Sequence, residues 1–119
     1  MSGRLSVIVP VYNEKETILE ILDVIGAVPI DKEIIVVDDG SSDGTRELLQ
    51  NRLNGKKDFK LIVHERNRGK GSAIRTGIRE AAAEMTIIQD ADLEYDPADY
   101  VPLLKIGRAS CRERVCQYV

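Results

Sequence analysis

The stretch Glu33 to Thr45, EIIVVDDGSSDGT, most constrains what this chain can fold into. Ile34 to Val37 is an unbroken run of β-branched apolar side chains. Such a run fits a strand buried on both faces, as in a parallel sheet covered by helices. It stops at two carboxylates, Asp38 and Asp39, and then reads Gly40, Ser41, Ser42, Asp43, Gly44. Those residues are turn and helix-cap chemistry. The strand therefore delivers acids and small residues to its carboxyl end, where open α/β sheets bind ligands.

Taken in order, residues 5–9 (LSVIV) read as a first strand ended by Pro10. Asn13 is placed to cap a helix, with Glu16 at the third helical position of a capping box. Ile18, Leu19, Ile21, Leu22 and Ile25 form one apolar stripe, and Gly26 and Pro29 end that helix. After the 33–39 strand, a second helix starts near 43–45 and buries Leu48, Leu49 and Leu53. Residues 60–64 (KLIVH) read as a third strand, 72–83 as a third helix, and 85–89 (MTIIQ) as a fourth strand. Asp96-Pro97 opens a last helix to about 105. The alternation predicts an α/β fold: a Rossmann-like open parallel sheet with helices on both faces. With the first strand central, order 3-2-1-4 places a switch point between strands one and four.

Residues 1–105 form one domain in this reading. The remainder, 106–119 (IGRASCRERVCQYV), has no clean helical or strand period. It reads as a cloning or read-through scar, with a native surface tail as the alternative. Both cysteines, Cys111 and Cys116, fall there. They cannot staple the fold, and two thiols alone make a poor zinc site.

Composition narrows the class of function. A hydrophobic content of 43% excludes a disordered chain. The balance of 17 basic against 20 acidic residues gives no footprint for nucleic acid. No apolar run approaches the ~18 residues of a membrane span, so a cytoplasmic domain is expected by default.

Four polar clusters sit at strand ends: 10–14, 38–43, 64–70 and 90–94. Parallel strands bring all four to one edge of the sheet. In Asp90-Ala91-Asp92, side chains at i and i+2 of an extended segment share a face. Their Cα atoms lie roughly 6–7 Å apart at ~3.3 Å rise per residue. Two carboxylates so placed can hold Mg²⁺ or Mn²⁺, with Glu94 as a third ligand. Two solvated loop aspartates before a capped helix is the bland alternative. Asp38 and Asp39 are adjacent and diverge. Asp39, nearer the tip, is the one assigned to a ligand's base N–H or ribose hydroxyls, and Asp38 to an Asx-turn. Gly69-Lys70-Gly71-Ser72 fails both the P-loop spacing and the Rossmann fingerprint. Arg66, Arg68 and Lys70 at a helix start can still meet a diphosphate or an acceptor phosphate, or form a solvated basic loop. His64, the single histidine, reads as a structural strand-end residue, and Tyr12 either stacks on a base or packs on the domain.

Together VIVPVYNE (7–14), VVDDGSSDGT (36–45), NRGKGSAIRTG (67–77) and IIQDADLEYDP (87–97) resemble family-2 glycosyltransferases of the GT-A type. The similarity is nearest to dolichyl- and polyprenyl-phosphate sugar transferases. It implies metal-dependent, inverting transfer from a UDP- or GDP-sugar to a polyprenyl or dolichyl phosphate. Transfer to a polysaccharide or protein glycan is one alternative, and a nucleotide-binding fragment without turnover is another. The resemblance places Pro10, Tyr12, Glu14 and Asp39 around the nucleoside. It makes Asp90-Ala91-Asp92 the metal motif, with Glu94 where relatives offer a further ligand. Such enzymes continue into an acceptor-binding half that usually carries the catalytic base and, in many, membrane helices. This chain ends first, so the resemblance implies a truncated, incomplete domain with its base unknown. Such a piece is expected to be inactive and to self-associate along its uncovered fourth strand. Its parent would work at the cytoplasmic membrane face.

Overall fold

The computed structural model describes residues 5–27, 31–83 and 85–89, and the backbone of 115–117. In chain order the elements are β1 (Leu5–Val11), α1 (Ile18–Ala27), β2 (Lys32–Asp38), α2 (Thr45–Leu53), β3 (Phe59–Val63), α3 (Lys70–Glu80), β4 (Met85–Ile88) and β5 (Val115–Gln117). The sheet is wholly parallel, in the order β3-β2-β1-β4-β5. The expected 3-2-1-4 order is present, with β1 and β2 the central strands of those four.

Those two strands explain the apolar runs, because each is covered twice. Leu5, Val7, Val9 and Val11 of β1, with Ile34 and Val36 of β2, pack beneath Ile18, Ile21, Leu22 and Ile25 of α1 and Leu49 and Leu53 of α2. On the other face Ile35 and Val37 meet Ala73 of α3. A Cβ built on Gly77 of α3 would fall 2.5 Å from Ile8 Cγ2, so the helix lies against β1 only because that position has no side chain.

Three expectations change. First, β1 does not stop at Pro10 but runs through it, with Pro10 opposite Val37. Successive residues of a parallel strand address alternate neighbours. The Ile8 carbonyl accepts from Gln89 on the β4 side, and the Val11 carbonyl accepts from Asp39 on the β2 side. Pro10 therefore faces the β4 side, where the ladder has ended at Ile8↔Ile88, and its missing N–H costs no bond. Second, Asn13 does not cap α1. It has φ 52°, and the first turn hangs instead on the Glu14 carbonyl, which accepts from Thr17 (3.1 Å) and Ile18 (2.9 Å). Third, the tail contains a strand. Residues 115–117 pair in parallel with β4, Thr86↔Val115 to Ile88↔Gln117. An exposed strand edge offers donors and acceptors that a short segment can meet without any side-chain period. The outer side of β4 is thus paired within the chain over those residues. The expected helix after Asp96 lies outside the described residues.

Candidate functional site

Three loops leave the carboxyl ends of β1, β2 and β3, and they are tied to one another largely through main-chain amides. Between the first and second loops, the Asn13 amide donates to Ser41 Oγ (2.9 Å), and Ser42 N–H donates back to Asn13 Oδ1 (2.8 Å). Glu14 N–H donates to Thr45 Oγ1 (3.1 Å) and Lys15 N–H to Asp43 Oδ2 (3.3 Å). This reciprocal pair is what claims Asn13. Asp43 also accepts from the Thr45 amide at 3.0 Å, opening α2. Hydrogen bonding from the Thr45 hydroxyl leads the causes that hold the Asp43 carboxyl below the usual carboxylate range. Burial opposes it, and the Thr45 and Lys15 amides assist.

The second and third loops meet at Asp39, which is buried together with Asp38. Asp39 Oδ1 accepts from the Arg68 amide (2.9 Å) and from His64 Nδ1 (2.8 Å), and Oδ2 accepts from the Gly69 amide (2.9 Å). Asn67 Nδ2 donates to the Asp39 carbonyl at 3.3 Å. Burial pushes the Asp39 carboxyl up, but the His64 bond and the two amides outweigh it, so its pKa lies below the ordinary value. Gly40 lets the two backbones touch: with φ +78°, its Cβ would sit 2.4 Å from Asn67 N and 2.5 Å from Arg66 C. Asp38 accepts from the Ser41 amide at 3.2 Å, a local loop bond three residues on rather than the expected Asx-turn, and pairs with Arg46 Nε at 3.5 Å. Arg46 Nη2 in turn donates to the His64 carbonyl at 3.3 Å.

Pro10, Tyr12, Glu14, Asp39, Arg66, Arg68 and Lys70 therefore share one edge of the sheet. Tyr12 is 48% exposed there. Val63, His64, Glu65, Arg66 and Arg68 line an open cleft of about 500 Å³. The amides of Arg68 and of the α3 N-cap Gly69 hold the Asp39 carboxylate. Asp90, Ala91, Asp92 and Glu94 lie outside the described residues. They follow Gln89, whose amide closes the β4 ladder on Ile8 at the same edge. Among the described residues no group of three or more His, Cys, Asp or Glu is placed to hold a metal ion. Also among them, no helix is long and apolar enough to cross a membrane. Gly40, Arg46, Asn67 and Thr76 were not singled out from the sequence. Gly40 could be read as a turn residue, but nothing in the sequence named its contact.

Residues 6–108 match the family model described as glycosyl transferase family 2. The chain belongs to that family. It is 37% identical over 103 residues to a dolichol-phosphate mannosyltransferase of Pyrococcus furiosus, covering 85% of this chain and 29% of that protein. It is 38% identical over 93 residues to a poly-beta-1,6-N-acetyl-D-glucosamine synthase of Staphylococcus epidermidis, covering 77% and 22%. Its fold superposes with a TM-score of 0.74 and 34% identity on the mannosyltransferase PcManGT from Pyrobaculum calidifontis, solved in complex with GDP-Man and Mn²⁺. That match covers 85% of this chain and 31% of the other. The family member described here thus spans less than a third of the length of each of these proteins. Its Rossmann-like α/β architecture is that of GT-A glycosyltransferases.

Proposed function

We propose that this chain binds the donor in a metal-dependent, inverting transfer of sugar from a nucleotide sugar to a polyprenyl or dolichyl phosphate. The observation that carries the reading is the rim itself. Three polar loops are locked to one another at the carboxyl edge of a parallel sheet, where the chain leaves β4 for Asp90-Ala91-Asp92. A fixed rim with an exposed aromatic ring and exposed cations suits a ligand with a flat base and an anionic tail.

In this reading Pro10, Tyr12, Glu14 and Asp39 surround the nucleoside. Asp39 already accepts three hydrogen bonds, of about four that a carboxylate can take, which leaves capacity for one base N–H or ribose hydroxyl. Arg66, Arg68 and Lys70 meet the diphosphate or the acceptor phosphate. Asp90 and Asp92, with Glu94, hold Mg²⁺ or Mn²⁺, since carboxylate oxygens are the donors that hard cations prefer. When bound, the cation neutralises charge on the departing nucleoside diphosphate. The complex of PcManGT with GDP-Man and Mn²⁺ supports a GDP-sugar as donor, with a UDP-sugar as the other choice. A lipid phosphate is already ionised and asks no base of this chain. The dolichol-phosphate mannosyltransferase relative supports that acceptor, and with it work at a membrane surface. The poly-N-acetylglucosamine synthase relative favours a second reading, a polysaccharide acceptor.

Calorimetric titration of GDP and UDP with and without Mn²⁺ tests the donor half. Metal-dependent binding of one of them is expected, and binding of neither would overturn the reading. Transfer assays on a longer form of the protein, with polyprenyl phosphate and oligosaccharide acceptors side by side, separate the two acceptor readings.

A further inference from the structure

We propose that His64 is a positioning residue for nucleotide binding: backed by Thr76, it fixes the Asp39 carboxylate and with it the 64–69 loop. The proposal rests on the donor-site reading above and adds a residue to it. His64 and Asp39 are 6% and 3% exposed, so water does not compete for their contact. Both ring nitrogens are used. Nδ1 lies 2.8 Å from Asp39 Oδ1, and Nε2 lies 2.9 Å from Thr76 Oγ1. Asp39 is an acceptor, so Nδ1 carries a proton, and Nε2 pairs with the Thr76 hydroxyl. The chain Thr76–His64–Asp39 joins α3, the end of β3 and the end of β2. Arg46 fixes the His64 main chain from α2. The ring is thereby held at both ends and cannot turn without breaking both bonds.

The consequence falls on Asp39. Two amides, Arg68 and Gly69, would hold its carboxylate in any variant, because every residue type but proline supplies an N–H. Among the described residues the ring is the one side-chain donor to it. Without the ring, Oδ1 keeps only the Arg68 amide, and a volume the size of an imidazole opens beside a buried charge. The carboxylate can then rotate, and its remaining acceptor direction is no longer set. A residue that serves only to stabilise the fold would lower stability without touching nucleotide affinity in the folded protein. A positioning residue lowers affinity, and a side chain with an equivalent N–H restores it.

The test compares His64→Asn, His64→Leu and Thr76→Val in the full chain, by calorimetry with GDP and UDP plus Mn²⁺ and by amide hydrogen exchange. The Asn amide places a donor near the position of Nδ1–H, and Leu places none. His64→Asn is expected to stay within about threefold of wild-type affinity, and His64→Leu to lose about tenfold or more, the worth of a charge-assisted hydrogen bond. Exchange at Arg68 and Gly69 should quicken in His64→Leu while the amides of β1 stay protected. Thr76→Val should move both readings the same way by less. Wild-type affinity in folded His64→Leu overturns the proposal, and so does equal weakening by Leu and Asn. Should the wild type bind neither nucleotide, the donor-site reading fails, and exchange alone decides the positioning role: unchanged protection of Arg68 and Gly69 in His64→Leu refutes it. Should His64→Leu not fold, Thr76→Val decides, and unchanged affinity and exchange in it refute the role.

Discussion

Gly40→Ala should be far more damaging than an alanine at another glycine of the same backbone conformation. Gly40 has φ +78° and Gly55 has φ +80°, so the left-handed strain on a Cβ is the same at both, about 1–2 kcal/mol. Space differs. At Gly55 nothing lies within 4 Å of the added carbon, whereas at Gly40 it would stand 2.4 Å from Asn67 N and 2.5 Å from Arg66 C. Those are backbone atoms and cannot swing aside, so the second and third loops must separate. Separation strains the bonds from Arg68 and Gly69 to Asp39, each worth about 1.5–3 kcal/mol because the acceptor is charged. Partial loss of the two adds about 2–3 kcal/mol, giving a total of about 3–5 kcal/mol for Gly40→Ala. Urea denaturation followed by circular dichroism, with equal slopes for the two variants, measures the difference. Agreement of Gly40→Ala with Gly55→Ala to within about 0.5 kcal/mol would refute the close approach.

Gly77→Ala should cost about 1–3 kcal/mol by overpacking against Ile8, and pairing it with Ile8→Ala should cost less than the sum of the two. Additive urea midpoints would show that the helix is not seated on that side chain. The Asp39 carboxyl titrates below its unfolded value of about 3.9. Its contribution is therefore present above that pH and lost as pH falls through the lower folded pKa. Asp39→Asn should accordingly flatten the acid limb of the stability–pH curve, and an unchanged limb speaks against the hydrogen-bonded carboxylate. Asp92→Ala should weaken Mn²⁺ binding in the presence of GDP or UDP, and equal titrations would remove Asp92 from the metal set. Asp39→Ala should reduce nucleotide affinity more than Asp38→Ala does; calorimetry with the reverse ranking would exchange the two roles.

The sheet was legible because its information is local. A run such as 34–37 can only be doubly buried, and alternation with helical stripes leaves few topologies. Pro10 misled because its effect depends on how far β4 extends, which residue 10 cannot report. Asn13 misled for a similar reason: its cap chemistry is local, but Ser41 and Ser42 take its hydrogen bonds from 28 and 29 positions away. The 115–117 strand pairs through backbone groups that every residue carries, so its sequence held no period to find. Asp39 was legible as a polar residue at a strand tip. Its neighbours His64 and Thr76 are 25 and 37 positions further along, and nothing in their spacing declares the contact.

The rim is tied largely through main-chain donors: the amides of Asn13, Glu14, Lys15, Ser41, Ser42, Thr45, Arg68 and Gly69. An amide is present whatever side chain it carries. The acceptors Asn13, Asp38, Asp39, Ser41, Asp43 and Thr45 are therefore committed, while Tyr12, Lys15, Arg66 and Arg68 can be exchanged one at a time without dismantling the frame. A lineage holding this arrangement could retune which base or which anion it prefers by single substitutions, each tested by selection on an intact scaffold. Frame and preference would then evolve almost independently.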